Sequence, residues 1–227
     1  MEVKESVALV TGANRGIGRA FVRTLVDHGA AKVYAGARDP ATVVDKDVTA
    51  LQLDVTSPAD ITAAAAVADD VTIVINNAGV FGSGTKLLEG SFDDAHQEME
   101  INYFGTWAVS RAFAPILARN GGGALVNMLS VASWAGRSGF PGYAASKAAQ
   151  WSLTQSLREG LRDQGTLVVG VHAGFVDTDL SSWIEAPKIS AASVAEQTMR
   201  ALANDSVEVL ADERTRQVKA ALSERAD

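Results

Sequence analysis

Val7-Ala8-Leu9-Val10-Thr11-Gly12-Ala13-Asn14-Arg15-Gly16-Ile17-Gly18 runs from an apolar stretch into a cluster of glycines and then into a helical pattern. A short apolar run closed by a turn reads as a buried strand, and apolar positions spaced by three and four from Gly16 to His28 read as a helix. Gly12 permits the tight turn, Gly16 lets backbone approach a pyrophosphate, and Gly18 lets the helix lie close to the sheet. The first turn of such a helix offers free N–H groups and a partial positive charge to an anion. The spacing is G-x-x-x-G-x-G, distinct from the G-x-G-x-x-G of other dinucleotide folds.

The same alternation of apolar run and helical pattern continues along the chain. Strands are predicted at Val7–Val10, Lys32–Gly36, Ala50–Leu53, Val71–Ile75, Ala124–Leu129, Leu167–Val171 and Val207–Leu210. Helices are predicted at Gly16–His28, Pro58–Ala68, Phe92–Arg119, Tyr143–Asp163 and Ala191–Ala203, with a last one over Glu213–Ser223. This pattern predicts an α/β fold, a doubly wound parallel sheet (Rossmann fold) with helices on both faces. Residues 1–227 are read as one domain carrying both dinucleotide binding and catalysis. Between Arg38 and Val48 there is little room for a crossover helix, and Asp179–Ser190 leaves room only for a small lid.

Composition narrows the function. The formal net charge is −7, which disfavours nucleic acid as a partner. There is no cysteine, so disulfides and thiolate metal sites are excluded. No stretch is apolar and long enough to cross a bilayer, and the start MEVKES is too polar for a signal peptide. A cytoplasmic protein is expected. The three histidines form no metal-ligand pattern, and no Gly-x-Ser-x-Gly elbow is present, so hydrolase chemistry has no support.

Tyr143 and Lys147 lie four apart on a predicted helix, hence on one face, with Ser130 thirteen residues before the tyrosine. A tyrosine titrates near pH ~10, so service as a base near neutrality needs a drop of roughly 3–4 kcal/mol. An ammonium ~4 Å away at an effective dielectric of ~20 supplies about 4 kcal/mol. The spacing therefore fits hydride-transfer chemistry with tyrosine as acid and base.

Thr11–Gly18, Asn76-Asn77-Ala78-Gly79, Asn102, Ser130 and Tyr143-x-x-x-Lys147, in this order, closely resemble the short-chain dehydrogenase/reductase family over about residues 5–180. The resemblance implies a single doubly wound domain that binds NAD or NADP and acts on a small carbonyl or alcohol. It implies that Gly12, Asn14, Arg15, Gly16, Ile17 and Gly18 hold the cofactor phosphates. Asp54 would take the adenine amino group with the Val55 backbone beside the ring, and Asn77, Ala78 and Gly79 would lie under the adenosine ribose. Asn76 reads as structural. Ser130, at the carboxyl edge of its strand, would bind the substrate oxygen, with Ser133 its nearest competitor. Asn102 would hold a water that contacts the lysine and completes a proton relay, and Lys147 would also bond the nicotinamide ribose. The Val176 backbone would bind the nicotinamide carboxamide, and Thr178 would reach the carboxamide or the pyrophosphate. Ala173 departs from the family, which usually has proline there.

An acidic residue at the end of the second strand holds the ribose 2′-OH of NAD, whereas arginine accommodates the 2′-phosphate of NADP. Arg38 stands at that place and Arg15 lies in the glycine loop, which favours NADP(H); Asp39 would serve NAD if the register shifted by one. The substrate is expected among Val80–Thr85, Ser133–Phe140 and Phe175–Ile184, where Phe81, Trp134, Phe140, Phe175 and Trp183 suit a hydrophobic aldehyde or ketone. A homodimer is expected through the helices at 92–119 and 143–163, with Trp151 and Leu153 as candidates for its face. The rival reading is an NADP-binding sensor without turnover, which would need the glycine loop but not the Ser-Tyr-Lys-Asn set.

Overall fold

The computed structural model describes residues 1–82 and 86–222, so Ser83–Thr85 of the expected substrate segment and Ser223 of the expected last helix lie outside the described residues. The strands are β1 (Val7–Thr11), β2 (Lys32–Ala37), β3 (Thr49–Gln52), β4 (Ile73–Asn76), β5 (Ala124–Met128), β6 (Leu167–His172), β7 (Val176–Asp177), β8 (Ile189–Ser190) and β9 (Glu208–Leu210). Seven of them form a parallel sheet in the order β3-β2-β1-β4-β5-β6-β9, while β7 and β8 make a separate parallel pair. The order reverses between β1 and β4, the switch point outside which doubly wound sheets bind ligands.

Strand residues alternate between two buried layers, which is why these strands read as unbroken apolar runs. Ala8, Val10, Ile73, Ile75, Val126, Val169 and Val171 face one core, completed by Phe21, Leu25, Val194, Met199 and Leu202. Leu9, Val74, Leu125 and Val168 face the other, completed by Ile61, Phe113, Ile116 and Leu117. The helices are α1 (Gly16–Asp27), α2 (Pro58–Val67), α3 (Asp93–Glu98), α4 (Thr106–Arg119), α5 (Pro141–Gly160), α6 (Ala191–Ala203) and α7 (Glu213–Ala220). Helices α1 and α6 cover the first layer, and α2 and α4 cover the second.

Two helix predictions are corrected. The single helix expected over 92–119 is interrupted by a π turn, Met99–Gly105, between α3 and α4. At the end of this turn the loop after β3 lies close: a Cβ at Gly105 would stand 2.7 Å from the Val55 side chain. The helix expected from Tyr143 begins at Pro141, because proline suits the first helical turn. Between β2 and β3 a single 3-10 turn, Pro40–Thr42, replaces a crossover helix.

A buried polar chain ties the centre of the sheet to its helices. The Asn76 amide donates to Ser110 Oγ at 3.0 Å and to Asn127 Oδ1 at 2.9 Å, and the Asn127 amide donates to Thr154 Oγ1 at 2.9 Å. This bears on β4, β5, α4 and α5 at once. Asn127→Ala leaves both partners short of a bond in the core and is expected to cost about 2–3 kcal/mol. The measurement is the urea midpoint, which should fall at unchanged slope; a midpoint within experimental error of wild type would remove this chain from the account of stability.

Candidate active site

The carboxyl ends of the parallel strands open into one cleft of about 1580 Å³. Its floor begins at the glycine turn. The amides of Asn77 and Ala78 both donate to Thr11 Oγ1 at 3.0 Å, and the Asn77 side chain donates to the carbonyls of Thr11 (2.9 Å) and Gly12 (3.2 Å). A Cβ at Gly18 would stand 2.1 Å from the Gly12 carbonyl oxygen, and Gly12 itself has φ +63° with the Ala78 backbone 3.0 Å from any Cβ it carried. The turn, the start of α1 and the end of β4 are packed too closely for any other residue. Thr11, which the sequence reading gave no role, is the hub of this packing.

Gly12, Asn14, Arg15, Gly16, Ile17, Gly18, Arg38, Asp54, Val55, Asn77, Ala78, Gly79, Ser130, Tyr143, Lys147, Val176 and Thr178 all line the cleft. Asn14 donates to Thr42 Oγ1 at 3.1 Å, and Arg15 pairs at 3.5 Å with Asp179 from the segment after β7. One oxygen of Asp54 holds its own turn, accepting from the Thr56 amide (2.9 Å) and hydroxyl (2.8 Å). Asp39 caps the 3-10 turn, its carboxylate accepting from the Ala41 amide at 3.0 Å, which leaves Arg38 exposed beside the cleft.

Asn102 is the exception. It is fully buried, its Oδ1 accepts from the Val80 amide (2.8 Å), and its amide donates to the Val80 carbonyl (3.0 Å) and Ser146 Oγ (2.9 Å). The side chain therefore clamps the loop after β4. The residue is joined to Lys147 through its backbone carbonyl. Lys147 Nζ donates to Gln150 Oε1 at 2.8 Å, Gln150 Nε2 donates to Thr106 Oγ1 at 2.9 Å, and that hydroxyl donates to the Asn102 carbonyl at 2.8 Å. Gln150 and Thr106 carried no signal in the sequence, since only the fold brings the π turn against α5.

Ser130 and Ser133 separate clearly. Ser133 is buried and its Oγ accepts from the Ser130 amide at 3.3 Å, whereas Ser130 faces the cleft. The Tyr143 pKa is raised by burial and, more weakly, by the Glu98 carboxylate, while a hydrogen bond with the Ser130 hydroxyl opposes the shift. Lys147 Nζ lies 5.9 Å from the phenol ring centroid and donates to the Met128 carbonyl at 2.9 Å. A shared helix face aligns the two side chains, and the lysine stem carries Nζ to the end of β5. Burial pushes the Lys147 pKa down to about 7.

Behind Ser130 stands a cluster that the sequence only hinted at. His172 Nδ1 is 3.2 Å from the Ser130 carbonyl, and its ring stacks on Trp134 at 3.9 Å and 21°. Lys219 stands 4.7 Å over the same indole and bonds Glu208 at 3.0 Å, and Glu208 is 3.6 Å from His172 Nε2. Burial pushes the His172 pKa down to about 4, so the ring is neutral near pH 7. Trp134, expected to face the substrate, is engaged here and does not line the cleft.

Fold and cleft together define the class: a dinucleotide-binding α/β protein. The family model described as short chain dehydrogenase matches residues 6–188. The 1-deoxy-11-beta-hydroxypentalenate dehydrogenase of Streptomyces avermitilis is 34% identical, over 90% of this chain and 84% of its own length. A short chain dehydrogenase from Burkholderia cenocepacia, solved in complex with NADP, superposes with TM-score 0.95 at 34% identity, covering 100% of this chain and 97% of the other. One from Burkholderia phymatum, in complex with NAD, gives 0.87 at 26%, covering 100% and 96%. The chain belongs to the short-chain dehydrogenase/reductase family, and is in that sense an oxidoreductase.

The depressed Lys147 pKa has a consequence for stability. An unfolded lysine keeps its proton to about pH 10.5, whereas the folded one loses it near 7, so between those values the unfolded chain binds more protons and stability rises with pH. The rise is at most about 1.4 kcal/mol per pH unit, or roughly 3–6 °C in melting temperature per pH unit. Melting the cofactor-free protein from pH 7 to 9 should show this slope, and Lys147→Met should flatten it. An identical slope in the variant would mean that the amine is not desolvated.

Proposed function

We propose that the protein is an NADP(H)-dependent oxidoreductase that reduces a hydrophobic aldehyde or ketone, working as a single domain over residues 1–227 in the cytoplasm. The observation that carries the reading is the convergence of the glycine turn, Ser130, Tyr143 and Lys147 on one cleft. The residues fit a dinucleotide: the turn leaves no room for a Cβ at Gly12 or Gly18, while a Cβ at Gly16 would meet only Thr178, and Arg15 and Arg38 line the same cleft. Gly12, Asn14, Arg15, Gly16, Ile17 and Gly18 would hold the phosphates, Asp54 and Val55 the adenine, Asn77, Ala78 and Gly79 the ribose, and Val176 and Thr178 the carboxamide. When bound, the reduced nicotinamide supplies hydride to the carbonyl carbon.

Ser130 would then orient the carbonyl oxygen, and the Tyr143 hydroxyl would give that oxygen its proton. A phenol whose pKa is raised by burial keeps its proton at neutral pH, which suits the acid of a reduction. Lys147, partly charged near pH 7, would bond the nicotinamide ribose and stabilise the phenolate left behind. Asn102 serves through position: it fixes Val80, at the start of the substrate loop, and connects to Lys147 through Thr106 and Gln150. NADP is supported by Arg38, by the engagement of Asp39 in its own turn, and by the greater likeness to the NADP-bound Burkholderia structure than to the NAD-bound one. The test is a carbonyl panel read at the nicotinamide absorbance. NADPH should bind more tightly than NADH, and Tyr143→Phe should retain NADPH binding while losing at least about 10²-fold in turnover. Unchanged turnover would remove the phenol from the chemistry, and NADPH binding with no turnover of any carbonyl would favour a sensor.

We also infer a homodimer. Among the described residues no helix is long and apolar enough to cross a membrane. Phe104 and Trp107 are nevertheless 47% and 44% exposed, and Tyr103 packs on both at 4.8 and 5.8 Å. This aromatic strip on the π turn and α4 supports a face shared between two copies. Leu153, a sequence candidate for that face, is buried within its own chain at 8% exposure. Phe104→Asp combined with Trp107→Asp should convert the dimer to a monomer by light scattering; an unaltered mass would place the contact elsewhere.

A further inference from the structure

Of the five aromatic side chains that the sequence nominates for the substrate, Trp134 is engaged away from the cleft, stacked with His172 beneath Lys219. Phe175 lines the cleft with the Arg214 guanidinium 4.7 Å from its ring. Phe81 and Phe140 gather at the Tyr143 phenol. Phe81 meets the Tyr143 ring edge-on at 5.1 Å and 74°, Phe140 meets it at 6.4 Å and 76°, and Phe81 and Phe140 meet each other at 6.0 Å. Trp183, from the segment between β7 and β8, stacks on Phe81 at 5.9 Å and 23°.

Trp183 is 65% exposed, yet its orientation is set, because Nε1 donates to the Leu180 carbonyl at 3.2 Å. A large ring left in water but held in place by its own loop has unused stacking surface. It stands on the short segment between β7 and β8, opposite the Phe81 loop that Asn102 clamps one residue earlier, at Val80. A carbonyl presented to the Tyr143 hydroxyl has Phe81 and Phe140 beside it, with Trp183 stacked on Phe81.

We propose that the substrate is an aryl carbonyl compound, whose ring packs against the aromatic cluster of Phe81, Phe140 and Trp183 while its carbonyl meets Tyr143 and Ser130. This rests on the oxidoreductase reading and adds to it the chemical class recognised. Saturated rings of equal size fill the same volume but lack the quadrupole that makes edge and face contacts with three aromatic neighbours favourable. Each such contact is worth about 0.5–1.5 kcal/mol beyond area burial, so the preference for aryl over cyclohexyl is expected to be of order tenfold.

The experiment compares benzaldehyde with cyclohexanecarbaldehyde, using NADPH, in the full-length protein and in Trp183→Leu. Because the two aldehydes differ in intrinsic reactivity, the quantity read is the change in their kcat/KM ratio between the two proteins. The ratio should fall about tenfold toward the cyclohexyl compound in the variant. A second arm needs no turnover: benzamide and cyclohexanecarboxamide are titrated into the NADP+ complex and followed by tryptophan emission. Benzamide should bind several-fold more tightly to wild type, with the difference lost in Trp183→Leu. An unchanged ratio, or equal binding of the two amides, overturns the proposal. Selective benzamide binding without reduction of either aldehyde would keep the ring site and count against carbonyl reduction.

Discussion

An ammonium taken out of water with no carboxylate partner is a costly thing to build, and the centre of this molecule is arranged around one. Lys147 is 4% exposed, and its nitrogen is satisfied by a carbonyl at the end of β5 and by the amide oxygen of Gln150. Gln150 can accept there because its own NH2 is taken by Thr106, whose hydroxyl proton is in turn directed at the Asn102 carbonyl. That carbonyl belongs to the π turn. A carbonyl can accept a hydroxyl alongside its helical amide because it has two lone pairs, and π turns recur at functional sites. The interrupted helix, the buried glutamine and the tyrosine helix are thus parts of one arrangement.

The same arrangement explains why spacing alone gave an incomplete account of the phenol. Four residues on a helix do bring Tyr143 and Lys147 to one face, but the neighbours decide where the amine ends. With Nζ drawn to Met128 and Gln150, the phenol is surrounded by aromatic rings, the Ser130 hydroxyl and the Glu98 carboxylate. Glu98 is itself 2% exposed, accepts from the Gly82 amide at 2.8 Å, and has its pKa raised by burial. Desolvation and a neighbouring carboxylate both favour the neutral phenol, against the Ser130 hydrogen bond.

What the sequence made legible was what local chemistry dictates. Apolar runs between turns identified the seven sheet strands to within one or two residues, and the glycine spacing identified the phosphate turn. The residues of that turn and of the Ser-Tyr-Lys set converge on one cleft because each sits at a strand end or helix start whose position the sheet fixes. What stayed hidden depends on contacts between distant segments. Thr11 as a hub, the close approach of Val55 to Gly105 at the π turn, and the Gln150–Thr106 link all need the folded neighbours. Trp134 misled for a related reason: its loop lies beside the cleft, but its ring finds a neutral imidazole on the other side.

The segment after β6 is where this chain departs from its family's pattern, and the departure is answered from outside the matched region. A proline would fix φ at Ala173 through its ring; alanine leaves that freedom open. Here the Val131 amide donates to the Ala173 carbonyl at 2.9 Å, and the Gly174 amide donates to Asp212 at 2.6 Å. Asp212 also caps α7, accepting from the Thr215 amide and hydroxyl at 2.9 Å each, so the loop is tied to a helix end that would otherwise carry unpaired N–H groups. Arg214 covers Phe175, and Glu208 with Lys219 encloses His172. The family match ends at residue 188, yet β9 and α7 supply four side chains that hold the β6 end and its loop. Conformational freedom left by a missing ring is thus removed by hydrogen bonds and ring contacts from the tail. The backbone that bears Val176 and Thr178 is in this way coupled to the last helix of the chain.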